Sequence, residues 1–245
     1  MIREIDDLQL YFGDDYYVND NIIIRQPTIG EIVKMGEKKY YSMIMTLTAI
    51  PSDMKAQLYD MKIDYEAISD FELFILLRKT LKAEDTQILL KDIDLASFEV
   101  GASLDNGETV LVDKENNILI DKVIYQIMVD YIRTMHGLKV KVERAGNAHT
   151  KQVLIEESRQ KLKQLSNTSY KSTLLPLVSS MVNSEGFKYN SQEVKNVTLY
   201  EFMDSVQRIQ AIKLATAMRQ GAYSGNIDVT KLDKKDLNWL RDLRE

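Results

Sequence analysis

The chain contains no cysteine, which excludes disulfides, thiolate nucleophiles and cysteine-ligated metals. The same absence fits a protein of the cytosol. Proline and glycine are scarce, with three and ten in 245 residues. That is too few for the many tight turns of an all-β sandwich. Only two histidines occur, His136 and His149. Neither stands at metal-ligand spacing from a carboxylate, as in His-Glu-x-x-His. His136 is expected to complement a helix C-terminus and His149 to sit in a surface loop.

Long apolar runs are also missing, and nothing approaches the ~18 residues of a membrane helix. The start, Met1-Ile2-Arg3-Glu4-Ile5-Asp6-Asp7, is acidic and lacks the apolar core of a signal peptide. Basic residues do not dominate: 32 against 37 acidic ones leave a net charge of −5, so nucleic-acid binding by bulk electrostatics is disfavoured. The one locally basic region runs through Lys139, Lys141, Arg144, Arg159, Lys161 and Lys163. Glu143, Glu156 and Glu157 interleave with it, so it reads as a solvated mixed surface. No glycine-rich phosphate loop and no Gly-x-Ser-x-Gly elbow occurs. The acidic pairs Asp6-Asp7, Asp14-Asp15 and Asp92 with Asp94 read as turns and caps. The sequence therefore predicts no catalytic residue, no metal and no cofactor.

What is present is helical pattern. The strongest stretch covers residues 198–220. Thr198 and Glu201 have capping-box spacing. Leu199, Phe202, Met203, Val206 and Ile209 recur at steps of three and four. Arg219 is placed in the last turn and Gly221 as the left-handed cap. This helix, about 33 Å long, is expected to act as a packing spine.

In chain order, Leu8 to Phe12 is a short apolar segment before a Gly13-Asp14-Asp15 turn. Tyr16-Tyr17-Val18 and Ile22-Ile23-Ile24 flank Asn19-Asp20-Asn21, which predicts a β-hairpin. A helix over residues 29–49 follows, weakened at Gly36 by roughly 1 kcal/mol relative to alanine. Ser52 is expected to cap a short helix over residues 54–61, and Ser69 with Glu72 to open a buried one. Ile88-Leu89-Leu90, Phe98-Glu99-Val100, Thr109-Val110-Leu111-Val112 and Ile118-Leu119-Ile120 look strand-like, with a hairpin turn at Asp105-Asn106-Gly107. Helices are expected over residues 122–136, capped by Asp121 and ended by Gly137, then over 150–165, 172–183 and 234–244. No internal repeat is evident. The fold class is mainly α (α+β): a helical protein with an N-terminal β-hairpin and a small inserted antiparallel sheet. Two regions are expected, an α+β domain over residues 1–165 and a helical region over 170–245.

Two stretches carry a resemblance. One runs from Tyr16-Tyr17-Val18-Asn19-Asp20-Asn21 through Pro27-Thr28-Ile29-Gly30-Glu31 to Pro51-Ser52-Asp53-Met54. The other runs from Phe202-Met203-Asp204-Ser205 through Tyr223-Ser224-Gly225 to Asn238-Trp239-Leu240. Together they resemble tail-morphogenesis proteins of tailed phages and prophages of Gram-positive hosts, the tail assembly chaperone type in particular. The resemblance implies a non-enzymatic factor in the host cytoplasm. It would bind the tape-measure protein or other tail subunits, such as the tail tube. A virion component at the connector or baseplate, or an unrecognised nucleic-acid-binding protein, is the alternative, and self-association stays open.

Eleven methionines suit an adaptable contact surface, because the thioether chain is flexible and polarizable. Tyrosine combines contact area with a polar tip. Met35, Tyr40, Tyr41, Met43, Met54 and Tyr59 are therefore the expected partner-binding residues, alongside Met45 and Met61 in the same N-terminal helical region.

Overall fold

The computed structural model describes residues 4–103, 106–225 and 233–243. Asp105 of the expected hairpin turn, Arg244 of the expected last helix and the segment after Gly225 up to residue 232 lie outside the described residues, as do Met1 to Arg3. The architecture is mainly helical, with two small antiparallel sheets. The chain divides into two units: Met1–Pro27 with Glu31–Ser172, and Thr28–Gly30 with Thr173–Glu245.

The first unit opens with α1 (Asp7–Phe12), a helix where only an apolar segment is legible in the sequence. Asp6 caps it by accepting from the Leu8 and Gln9 amides, and Gly13 ends it at φ 78°. The hairpin follows as β1 (Tyr16–Tyr17) and β2 (Ile23–Ile24), with Tyr16 opposite Ile24. The expected helix over residues 29–49 is broken into α2 (Ile29–Met35) and α3 (Glu37–Leu47). Gly36 stands between them at φ +96°, a conformation that side-chain-bearing residues rarely adopt. Ser52 does not cap the next helix. It lies in a short 3-10 turn and exchanges hydrogen bonds with the backbone of Glu143, while α4 (Lys55–Asp60) starts after Met54. Ser69 and Glu72 do form a capping box on α5 (Asp70–Leu77).

Ile88-Leu89-Leu90 is not a strand; it closes α6 (Ala83–Leu90), which begins with Glu84 and Asp85 in its first turn. A short apolar run has no period that separates strand from buried helix. The inserted sheet has the order β3 (Glu99–Ala102), β4 (Thr109–Asp113), β5 (Ile118–Ile120). After it, α7 (Lys122–Met135) is capped by Asp121 and supplies Tyr125, Met128, Tyr131 and Ile132 to the core. Asn147 then caps α8 (Ala148–Asn167), so His149 falls in a helix and not in a loop.

A repeat that the linear pattern hides emerges here. α4 and α6 are each followed by the same loop thirty residues apart: Ile63-Asp64-Tyr65 and Ile93-Asp94-Leu95. In both, the aspartate side chain accepts from the amide two residues on, Glu66 or Ala96, at 3.0 Å. Its carbonyl accepts from Ala67 or Ser97. Tyr65 and Leu95 are buried at the matching position, and Ile93 is buried as well. Gln57 and Gln87 correspond in the two helices, as do Leu58 and Ile88.

The second unit is organised on α10 (Leu199–Tyr223), accompanied by α9 (Leu174–Val182) and α11 (Lys234–Leu237). Thr198 accepts from the Glu201 amide as expected, but Glu201 itself accepts from the Tyr189 hydroxyl at 2.6 Å. Leu199, Phe202 and Val206 are buried, and the buried face then continues through Ala211 and Ala215. Gly221 does not end the helix; the left-handed residue is Gly225. Arg219 does not serve its own helix end either. It donates to the Leu237 carbonyl, while Arg208 donates to the carbonyls of Trp239 and Arg241. Thr28–Gly30 pair with this unit through a Thr28–Thr198 bridge and an Ile29 amide donating to the Val197 carbonyl at 2.9 Å.

Candidate functional site

An open cleft with an apolar floor lies in the first unit, between α4 with its following loop and α8. Its volume is about 600 Å³, and Tyr59, Ile63, Tyr65, Lys151 and Ile155 line it. The floor exists because Ile155, the one fully buried residue of α8, joins Ala49, Leu58, Tyr65 and Leu73 in a single cluster, with Met54 and Ile63 packed against it.

The rim is charged. Lys151 Nζ lies 2.5 Å from Asp64 Oδ1 and 2.8 Å from Glu66 Oε2. It also stands 5.2 Å from the Tyr65 ring centroid, within cation–π range. Arg159 contacts Asp60 at 2.5 Å and Glu156 at 3.2 Å. The hydrogen bond from Lys151 holds the carboxyls of Asp64 and Glu66 below the usual range, and those two groups raise Lys151 in return. All three are therefore charged at neutral pH. Behind the cleft, Lys55 is buried and reaches Glu143 and the Ser52 carbonyl, each at 2.7 Å. Such an arrangement ties α8 to α4 and its following loop over an apolar floor and keeps Asp64 and Glu66 ionised near neutrality.

The six residues expected to meet a partner do not share one surface. Tyr59 stands at the rim of this cleft, 47% exposed, and Met54 packs beneath it. Met35 lines a separate charged groove with Arg25, Glu31, Lys34 and Lys39. Tyr40 is fully buried and Met43 nearly so, so both serve the core. Tyr41 packs edge-on against Tyr40 at 5.4 Å, and burial pushes its hydroxyl up to about 12. Lys151, Asp64 and Ile155 line the cleft, Glu66 pairs with Lys151, and no sequence pattern singles these residues out. Lys151 and Asp64 are 87 residues apart, so no local pattern joins them.

His136 is the other notable polar site. Its Nδ1 lies 2.6 Å from the Ile132 carbonyl and its Nε2 2.6 Å from the Tyr40 hydroxyl. A carbonyl only accepts, so the ring proton sits on Nδ1 and Tyr40 donates to Nε2. Desolvation lowers the imidazole to about 4. His136 is neutral at pH 7 and offers no charge to the end of α7, contrary to the expectation from its position.

Among the described residues no group of three or more His, Asp or Glu is placed to hold a metal ion. No helix among them is long and apolar enough to cross a membrane.

The fold and the cleft define a mainly helical protein with an apolar groove under paired charges. Residues 165–244 match the family model described as the YomV second domain, a family encoded by phages and prophages. That match suggests a phage protein. No curated protein and no solved structure matches the chain.

Proposed function

We propose that this chain is a non-enzymatic phage assembly factor acting in the host cytoplasm, and that the cleft between α4 and α8 receives a segment of another phage polypeptide. The tape-measure protein is the first candidate, and other tail subunits are the next. The observation that carries the reading is the cleft itself. Tyr59 and Ile63 offer apolar area beside Ile155, while Lys151 and Arg159 are already paired with Asp64, Glu66 and Asp60. A floor of this kind suits burial of apolar side chains from a polypeptide. The match of residues 165–244 to a phage-encoded family supports the setting.

Deleting the gene from its phage and analysing the particles tests the proposal. An assembly factor is required for complete tails yet is absent from purified virions by mass spectrometry. Normal tails in the deletion would overturn the proposal. A stoichiometric copy number in the particle would replace the assembly factor with a virion component.

A further inference from the structure

The three-stranded sheet ends at β3, and no strand among the described residues pairs with its outer edge. Alternation in an antiparallel ladder fixes which backbone groups face that edge. The Ser103 amide donates inward to the Glu108 carbonyl at 2.8 Å. Gly101 opposite Val110 and Glu99 opposite Val112 are therefore the inward-bonded pairs, and the N–H and C=O of Val100 and Ala102 point outward. One residue earlier, the outward carbonyl of Phe98 is already taken: Arg78, buried, donates to it at 2.7 Å. The open edge is thus short and has a fixed start.

One face of the sheet points the same way. Ile120, Leu111 and Val100 stand in a row across the three strands. The first two are fully buried, whereas Val100 is 54% exposed. The apolar row stops before it is covered. β3 itself carries neither the lysine nor the proline that commonly blunts an edge.

We propose that this edge pairs antiparallel with β3 of a second copy of the chain, centred on Gly101. In that register Val100 of each copy faces Ala102 of the other, and their four outward N–H and four outward C=O groups supply the bonds. Gly101 meets Gly101, where the lack of side chains permits close approach. Glu99 meets Ser103 and not another Glu99, so no like charges oppose. Shifting the register to centre on Val100 would require the Phe98 carbonyl that Arg78 occupies.

Val100→Pro tests this on the full chain. Proline there removes an outward N–H and leaves the inward ladder to β4 intact. Ala102→Lys is the second variant, placing a charge in the paired edge. The wild-type chain is expected to dimerise reversibly in sedimentation velocity. By hydrogen exchange, Val100 and Ala102 amides gain protection with concentration, while Gly101 is protected throughout. Each variant should weaken the dimer on the order of 10-fold or more with an unchanged circular dichroism spectrum. If Val100→Pro alters the spectrum, Ala102→Lys decides. A chain that stays monomeric, or a dimer equally strong in the folded variants, overturns the proposal. So does protection of Val100 and Ala102 that develops only when another phage protein is added, which would give the edge to that partner.

Discussion

At the scale of single residues, His136 sets the clearest condition on stability. Its folded imidazole is held at about 4, against about 6.5 for an unperturbed histidine. Between these values the unfolded chain binds a proton that the folded chain refuses, so acid favours unfolding. The contribution is complete above pH 6.5 and is lost as the pH falls through 4. Lowering the pH from 7.5 to 5.0 should remove about 2 kcal/mol from this group alone. Urea unfolding of wild type and His136→Gln at both pH values checks it: the wild type should lose that much more than the variant. Equal losses would mean that His136 is not held neutral by its surroundings.

At the scale of elements, three local devices can be tested separately. A Cβ on Gly30 would lie 2.8 Å from the Lys195 carbonyl oxygen, a backbone atom that cannot swing aside. Gly30→Ala should destabilise the second unit by about 1–3 kcal/mol, read by the fluorescence of Trp239, the single tryptophan. Thr198→Ala removes the cap of α10 and should cost about 1 kcal/mol by the same probe. The matched loops after α4 and α6 make a paired prediction. Asp64→Asn and Asp94→Asn keep an acceptor for the amide two residues on, so both turns should survive. Only Asp64→Asn should also weaken an ion pair, because Lys151 binds Asp64.

These elements also show what was legible in the sequence. Caps such as Ser69 with Glu72, and Asp121 before α7, are readable because donor and acceptor lie three residues apart. The hairpin and the inserted sheet are readable from β-branched runs separated by turn residues. α6 is not, since Ile88-Leu89-Leu90 is apolar in either conformation. Gly221 reads as a helix end in the sequence, but a glycine inside a helix is tolerated when the flanking pattern continues. The repeat stayed hidden because only a few positions coincide and the helices around them differ in composition.

At the scale of the whole molecule, the cleft shows where sequence reading ends. Its walls come from α4 and α8, and Lys151 reaches Asp64 across 87 residues of chain. Counting methionines and tyrosines points to the N-terminal helical region, yet exposure depends on packing, which buries Tyr40 and Met43 and leaves Tyr59 at the rim. The phage-encoded family match lies elsewhere, over residues 165–244, and so does not identify the cleft. The most direct measurement is a calorimetric titration of the full chain with the tape-measure protein of the same phage, repeated with Tyr59→Ala and Ile63→Asp. Saturable binding that weakens by about 1–3 kcal/mol for Tyr59→Ala, and more for Ile63→Asp, is the predicted result. Binding that is equally tight in both folded variants, or no binding at all, would contradict it.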